Sequence, residues 1–371
     1  MKKPSLRTIF ISLSLLIILI NPNPVTAHFF PNISAIPSSL IPKSTIWDAF
    51  NNLVGCRKGQ KSEGLSKLKK YLHYFGYLNN SYSDFSDDFD DRLEAAVKTY
   101  QLNFNLKATG ELDAPTLSHI VLPRCGNSDV VNGTSTMNSG KPNGGGNSTF
   151  HTVAHYSFFP NRPRWPPSKS ELTYAFLPEN ELSGAVRGVF GRAFERWSEV
   201  TPLTFREVAA FGRADIKIGF LSRDHGDGEP FDGVLGTLAH AFSPPNGRFH
   251  LDGEENWLID GNFLNGSPRS AVDLESVAVH EIGHVLGLGH SSVEGAIMYP
   301  TISSGQRKVE LANDDIMGVQ ELYGSNPNYN GSVSLTPRGE RDTSGASRVE
   351  FSLLAGRMLL PWSLLLLRLF V

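Results

Sequence analysis

Between residues 60 and 120 the apolar positions recur at helical spacing. Leu65, Leu68, Tyr71, Leu72 and Phe75 share one face of a helix that Gly76 stops, and Leu93, Ala96, Val97, Tyr100, Gln101 and Phe104 repeat the period. Thr109-Gly-Glu-Leu-Asp113 then opens a short helix whose last apolar residues precede Pro123. The next stretch, Asn132 to Thr149, is rich in Gly, Asn and Ser and cannot form a core; it reads as a flexible, protease-accessible linker. From Tyr156 to Tyr323 the pattern changes. Glu171–Phe176, Thr204–Val208 and Ala214–Phe220 alternate as strands, and between the first two Val186, Val189, Phe190, Ala193, Phe194 and Trp197 form an apolar helical face. Ala271–Gly289 and Asn313–Tyr323 read as two further helices, the second one capped. This order predicts an α+β domain, a twisted and mostly parallel sheet with three helices, behind a small all-helical module.

A chain of 371 residues suits two domains plus processed ends. Lys2, Lys3 and Arg7 precede an apolar run from Ile9 to Ile20 and a small-residue site at Val25-Thr-Ala27, the layout of a secretory signal over residues 1–27. A signal anchor is the alternative, but a 12-residue run is too short to span a bilayer. Sequons at Asn32, Asn79, Asn132, Asn147 and Asn330 suit a secreted glycoprotein; the one at Asn265 is followed by Pro268, which counts against its use. With a net charge of −3, nothing points to nucleic acid. Two cysteines, Cys56 and Cys125, make no disulfide scaffold.

The chemistry concentrates in His280-Glu281-Ile-Gly-His284-Val-Leu-Gly287-Leu-Gly-His290. Histidines four apart share a helix face, about 6 Å along its axis, and can reach one zinc ion from the same side. Glu281 is placed to act as general base on water. Gly287 can break the helix so that His290 returns as a third nitrogen ligand. Three protein ligands leave one position open, the arrangement of a catalytic rather than a structural zinc. A second group, His225, Asp227, His240 and His250, offers three imidazoles and a carboxylate, enough for a closed tetrahedral zinc site. Cys125, in Pro123-Arg-Cys-Gly126, is open to two readings: a disulfide with Cys56, or a thiolate occupying the open position on the zinc.

These motifs resemble the metzincin metalloendopeptidases, and Ser291 after the third histidine resembles the matrixin (matrix metalloproteinase) branch. The resemblance covers the span Tyr156–Tyr323 and implies a catalytic domain over residues 150–325, with a propeptide over 28–149. Ala296-Ile-Met298-Tyr-Pro300 is similar to the family's methionine turn, with Met298 as an apolar floor beneath the metal. Pro123-Arg-Cys-Gly-Asn-Ser-Asp129 resembles the family's cysteine switch, keeping the aspartate that pairs with the arginine but losing the Val-Pro of the family pattern. The resemblance implies His225, Asp227, His240 and His250 as structural-zinc ligands. It also implies calcium bound through the side chains of Asp232, Asp252 and Glu255 and the carbonyls of Gly233, Leu235 and Thr237. A second calcium at Asp215 would need a glycine-rich partner loop that is shortened here to Pro244–Phe249. Substrate is expected along an edge strand around Thr237, Leu238 and Ala239. Tyr299 and Pro300 would wall the pocket for the residue after the cut, which the resemblance implies is Leu or a similar side chain.

Past a linker over 326–346, residues 347–371 end in an apolar tail, Met358–Val371, preceded by the small residues Ser344-Gly-Ala346. That is the layout of a GPI-anchor signal with Ser344 as attachment site, and a tail-spanning helix is the rival. A matrixin ending this way, with no haemopexin-like propeller, resembles the plant subgroup. The expected function is a secreted, zymogen-forming zinc endopeptidase held at the outer face of the plasma membrane, acting on extracellular proteins and switched on by an activating protease. The rivals are a zinc hydrolase of cell-wall material and a non-catalytic binding protein on the same fold.

Overall fold

In a computed structural model the chain is described over residues 48–79, 81–137, 155–263, 268 and 270–331. The signal segment, Asn32, Asn147, the Asn265 sequon, Ser344 and the apolar tail lie outside the described residues. Among the described residues no helix is long and apolar enough to cross a membrane.

The N-terminal module consists of α1 (Leu65–Tyr74), α2 (Asp91–Asn103) and α3 (Ala114–Ile120). Asp90 caps α2 by accepting from the Leu93 amide, and Asp113 caps α3 by accepting from Thr116. Leu65, Leu68, Leu72, Leu93, Val97 and Leu117 meet in one apolar cluster, as their spacing predicts. Strand β1 (Arg124–Cys125) leaves this module. The stretch expected to be linker from Asn132 onward begins instead inside a hairpin of β2 (Val130–Val131) and β3 (Thr134–Ser135). Its turn is Asn132-Gly133, both at positive φ, a two-residue hairpin signal that the polar composition obscured. Met137 is buried in the helical cluster, so any linker starts beyond it.

The second domain runs through β4 (Tyr156–Phe158), β5 (Glu171–Phe176), α4 (Gly184–Val200), β6 (Thr204–Glu207), β7 (Ile216–Leu221), β8 (Thr237–Ala241) and β9 (Arg248–Asp252). Then follow β10 (Asn256–Leu258), β11 (Ala271–Asp273), α5 (Leu274–Val285), β12 (Leu288–Ser291) and α6 (Asn313–Tyr323). Six strands form one sheet in the order β1-β8-β9-β7-β5-β6, parallel throughout except between β8 and β9. The expected α+β architecture with three helices in this domain is therefore present. The sheet's edge beside β8 is taken by β1, a strand donated by the N-terminal module.

Helix α4 lays Val186, Val189, Phe190, Ala193 and Trp197 against the sheet and α5. Trp197 is fully buried, and its indole N–H donates to the Val279 carbonyl at 2.9 Å. The helix expected over Ala271–Gly289 is shorter at both ends. Its first three residues pair with β10, and the Asp273 carboxylate caps α5 by accepting from the Ser276 amide at 2.8 Å. At the other end the chain leaves the helix, and Leu288–Ser291 pairs antiparallel with β4.

Candidate active site

His280 and His284 project from successive turns of α5, and His290 comes from β12 after Gly287 reverses the chain at φ 104°. A Cβ at Gly287 would lie 2.1 Å from the Pro163 carbonyl oxygen, so the turn demands glycine. All three imidazoles are buried and held through Nδ1. His280 donates to the Ile297 carbonyl at 2.7 Å, His284 to the Leu288 carbonyl at 2.8 Å, and His290 to the Asp129 carboxylate at 2.9 Å. Acceptors at every Nδ1 fix the proton there and leave each Nε2 as a lone pair. The Nε2 atoms of His280 and His284 stand 3.1 Å apart, and that of His290 has no hydrogen-bond partner. Cys125 Sγ lies 3.4 Å from His284 Nε2, and the four ligand atoms all fall within 4.8 Å of one another.

Converging lone pairs without protons repel one another, so this set calls for a cation, and three nitrogens with one sulfur suit zinc. Protons are not the answer: burial, then the neighbouring imidazoles, push His280 and His284 well below the ordinary histidine range. Glu281 is fully buried beside them, neither of its carboxylate oxygens finds a partner, and burial raises its pKa to about 8. Such a carboxyl can both take and return a proton near neutral pH.

Met298 forms the floor beneath the ligands. A Cβ on Gly283 would sit 2.3 Å from Met298 Sδ, so the thioether packs directly on helix backbone. The turn around it is held by Asp315, whose carboxylate accepts from the Ile297 amide at 2.8 Å and the Met298 amide at 2.9 Å. Asp315 had no signal in the sequence beyond a double acid at a helix start, which reads as ordinary capping.

Residues Pro123–Gly126 occupy the cleft over the three histidines. Arg124 donates its amide to Gly236 and Gly126 donates to Ala239, both at 2.8 Å. On the other side the Cys125 amide donates to Pro300 at 2.8 Å and Ile302 donates to Pro123 at 3.0 Å. The segment thus lies along Thr237, Leu238 and Ala239, where an extended peptide substrate is expected. Both cysteines are free, so the Cys56–Cys125 disulfide does not form. Buried Arg124 donates to Asp129 at 2.7 Å and stacks over Phe75 at 3.6 Å. Asp129 also receives Tyr77 at 2.8 Å. Burial alone would push Asp129 up; Arg124 and then His290 outweigh it and hold the carboxyl at about 2. Asn127 stands where the family pattern has valine, and its amide both donates to the Ala241 carbonyl at 2.8 Å and accepts from the Ala241 amide at 3.1 Å. A side chain here continues the strand pairing that a valine cannot.

Tyr299, expected on a pocket wall, lines a cavity beside Cys125 and is packed into the N-terminal module's own apolar cluster. Its hydroxyl meets His119 Nε2 at 2.8 Å, and His119 Nδ1 meets the Tyr100 hydroxyl at 2.7 Å. That contact across 180 residues left no trace in the sequence.

The second group also assembles. His240 and His250 face each other directly across β8 and β9. Asp227 Oδ2 lies 2.9 Å from His240 Nε2, 2.8 Å from His250 Nδ1 and 3.0 Å from His225 Nε2. Nearby, Asp232, Asp252 and Glu255 converge on the loop 232–237: Thr237 donates to Asp232, Gly233 to Asp252 and Leu235 to Glu255. Burial raises Asp232 and Asp252 to about 6 and Glu255 well above its usual range; beyond burial, Asp252 repels Asp232 and Glu255, and Glu254 repels Asp252. Three crowded carboxyls raised together suit a hard cation. Asp215 is different. Its carboxylate takes the Thr173 amide and hydroxyl at 2.9 and 2.8 Å and pairs with Lys169, so both oxygens are engaged within the protein. Of the sequons, Asn79, Asn132 and Asn330 are exposed.

Comparison with known proteins agrees with this geometry. Residues 164–324 match the family model described as "Matrixin", and residues 61–120 the model described as "Putative peptidoglycan binding domain". The chain is 56% identical over 354 residues to Metalloendoproteinase 2-MMP of Arabidopsis thaliana, covering 91% of this chain and 90% of the relative. It is 47% identical over 269 residues to Metalloendoproteinase 1 of Glycine max, covering 72% and 85%. It is 36% identical over 280 residues to human Matrilysin, covering 72% and 91%.

Proposed function

The chain belongs to the matrixin family of zinc metalloendopeptidases, and from that premise we propose that it is made as a cysteine-latched zymogen and, once processed, cuts extracellular proteins before apolar residues such as Leu. The observation that carries the latch is the convergence of Cys125 Sγ with His280, His284 and His290 within 4.8 Å, beside a buried Glu281. His280, His284 and His290 would hold the catalytic zinc, with Cys125 as fourth ligand until it leaves. When bound, zinc supplies Lewis acidity to a peptide carbonyl and to attacking water. Glu281 takes the water's proton on a carboxylate oxygen and returns it to the leaving amine nitrogen. Backbone groups of Gly236 and Ala239 on one side and Pro300 on the other, now bound by the latch, become available to an extended substrate.

His225, Asp227, His240 and His250 are proposed to hold a structural zinc, and the cluster of Asp232, Asp252 and Glu255, with the carbonyls of Gly233, Leu235 and Thr237, a calcium. Secretion, glycosylation at Asn32, Asn79, Asn132, Asn147 and Asn330, and a GPI anchor at Ser344 are proposed from sequence pattern alone. The test is Glu281→Ala in the processed enzyme. Cleavage of a Leu-containing peptide should fall by at least about a thousandfold while bound zinc stays at the wild-type level. Full cleavage by that variant would overturn the proposed role of Glu281.

A further inference from the structure

Beside the latch lies a small cavity, ≈ 20 Å³, bounded by Cys125 and Glu281 at one end. Its sides are apolar, from Val277, Tyr299 and Ile302. Ser276, also in its lining, precedes His280 by one helical turn, about 6 Å along α5, so it marks the end away from the metal ligands. Lys308 also lines the cavity, and its backbone amide donates to Ser276 Oγ at 2.8 Å. Neighbouring Arg307 is anchored too, donating to Asp273 and Glu275, each at 3.0 Å. Lys308 is therefore fixed against the start of α5.

Its ammonium is poorly neutralised. Nζ donates to the Ala296 carbonyl at 2.8 Å and the Glu294 carbonyl at 3.3 Å, and it lies 5.5 Å from the Tyr299 ring centroid. Among the described residues no carboxylate oxygen comes within 4.0 Å of it. Burial lowers its pKa to about 8, with Asp315 and Glu294 pulling upward, so the group remains largely charged at neutral pH. Two carbonyls leave one of its three N–H donors over.

We propose that Lys308 is a specificity-determining residue, giving an otherwise apolar pocket a cationic far end that favours substrate side chains terminating in a hydrogen-bond acceptor. Glu and Gln carry a hydrogen-bond acceptor one atom beyond the last carbon of Leu, the chemistry that a spare N–H donor would select. A lysine side chain of similar length is repelled. The inference rests on the reading that this cavity receives the residue after the cut.

The test uses processed wild-type enzyme, Lys308→Met and Lys308→Arg, with peptides differing only in that residue: Leu, Met, Gln, Glu or Lys. The quantity read is kcat/KM for each peptide relative to the Met peptide within the same enzyme. The Glu and Gln ratios should fall about tenfold in Lys308→Met, the Lys ratio should rise, and Lys308→Arg should keep the wild-type order. Unchanged ratios in Lys308→Met overturn the role of Lys308. Ile302→Trp separates that failure from failure of the pocket assignment, because filling the cavity should suppress every long side chain relative to an Ala peptide. If Ile302→Trp leaves that profile unchanged, the cavity is not the pocket and the inference falls with it.

Discussion

The two histidine clusters use the same ligand chemistry in opposite settings. His280, His284 and His290 sit on a helix and a strand inside the main core, and the Nδ1 atoms of the first two are tied to backbone carbonyls of that core. Of the other four, His240 and His250 stand on paired strands, but His225 and Asp227 belong to a loop between β7 and β8. His225 Nδ1 reaches only the Arg223 carbonyl, within that same loop. The first cluster is thus prebuilt by apolar packing and presented to its metal. The second rests on Phe231 of the same loop, stacked on His225 and His240, and its ion would have to order the rest of the loop.

The largest effect should come from breaking each cluster in turn. His284→Ala in the processed enzyme should abolish peptide cleavage, by about a thousandfold or more, and remove one bound zinc, yet shift the melting temperature by only a few degrees. His250→Ala should do the reverse, retaining measurable cleavage while losing several kcal/mol of stability and opening the loop to trypsin at Arg223. Equal melting temperatures and equal trypsin sensitivity in the two variants would break the contrast.

An intermediate effect concerns what the N-terminal module adds to the first cluster. Cys125→Ser should raise cleavage by the unprocessed protein by about tenfold or more. Asp129→Asn should give a smaller rise, because it withdraws a charge from both Arg124 and His290 while leaving the thiol in place. An unprocessed Cys125→Ser protein as silent as wild type would count against the latch.

The smallest effect is expected at the carboxylates beside the second cluster. Asp232 and Asp252 titrate at about 6 in the folded chain against an ordinary 3.8, so between those values the calcium-free fold holds more protons than the unfolded chain. Its stability therefore falls as pH rises through that window. Calcium would replace those protons. The rise in melting temperature that calcium produces should be slight near pH 5 and a few degrees at pH 7; a rise independent of pH would argue against these residues as the site.

Much of the first cluster was legible in the chain because its geometry is local. A four-residue spacing on a helix and one glycine turn bring three histidines together whatever surrounds them. The outer partners were not legible. Asp315 supports the methionine turn from a helix that begins 15 residues after Met298, and Asp129 reaches His290 from the other domain. The hairpin at Asn132-Gly133 was obscured for a different reason, since polar composition outweighed a two-residue turn signal. The helix at Ala271–Gly289 was overextended because apolar periodicity does not distinguish a helix from the strands that feed into and out of it.

Sequence by itself determined the types of the converging side chains, their order, the glutamate beside them and the α+β alternation of elements, all of which follow from short-range spacing and side-chain period. Tertiary structure alone decided which strand covers the edge of β8, that Asp129 of the N-terminal module accepts from His290, and that Lys308 comes to line the cavity beside Cys125. Those are contacts between segments far apart in the chain, fixed by how two apolar cores pack against each other rather than by any local pattern.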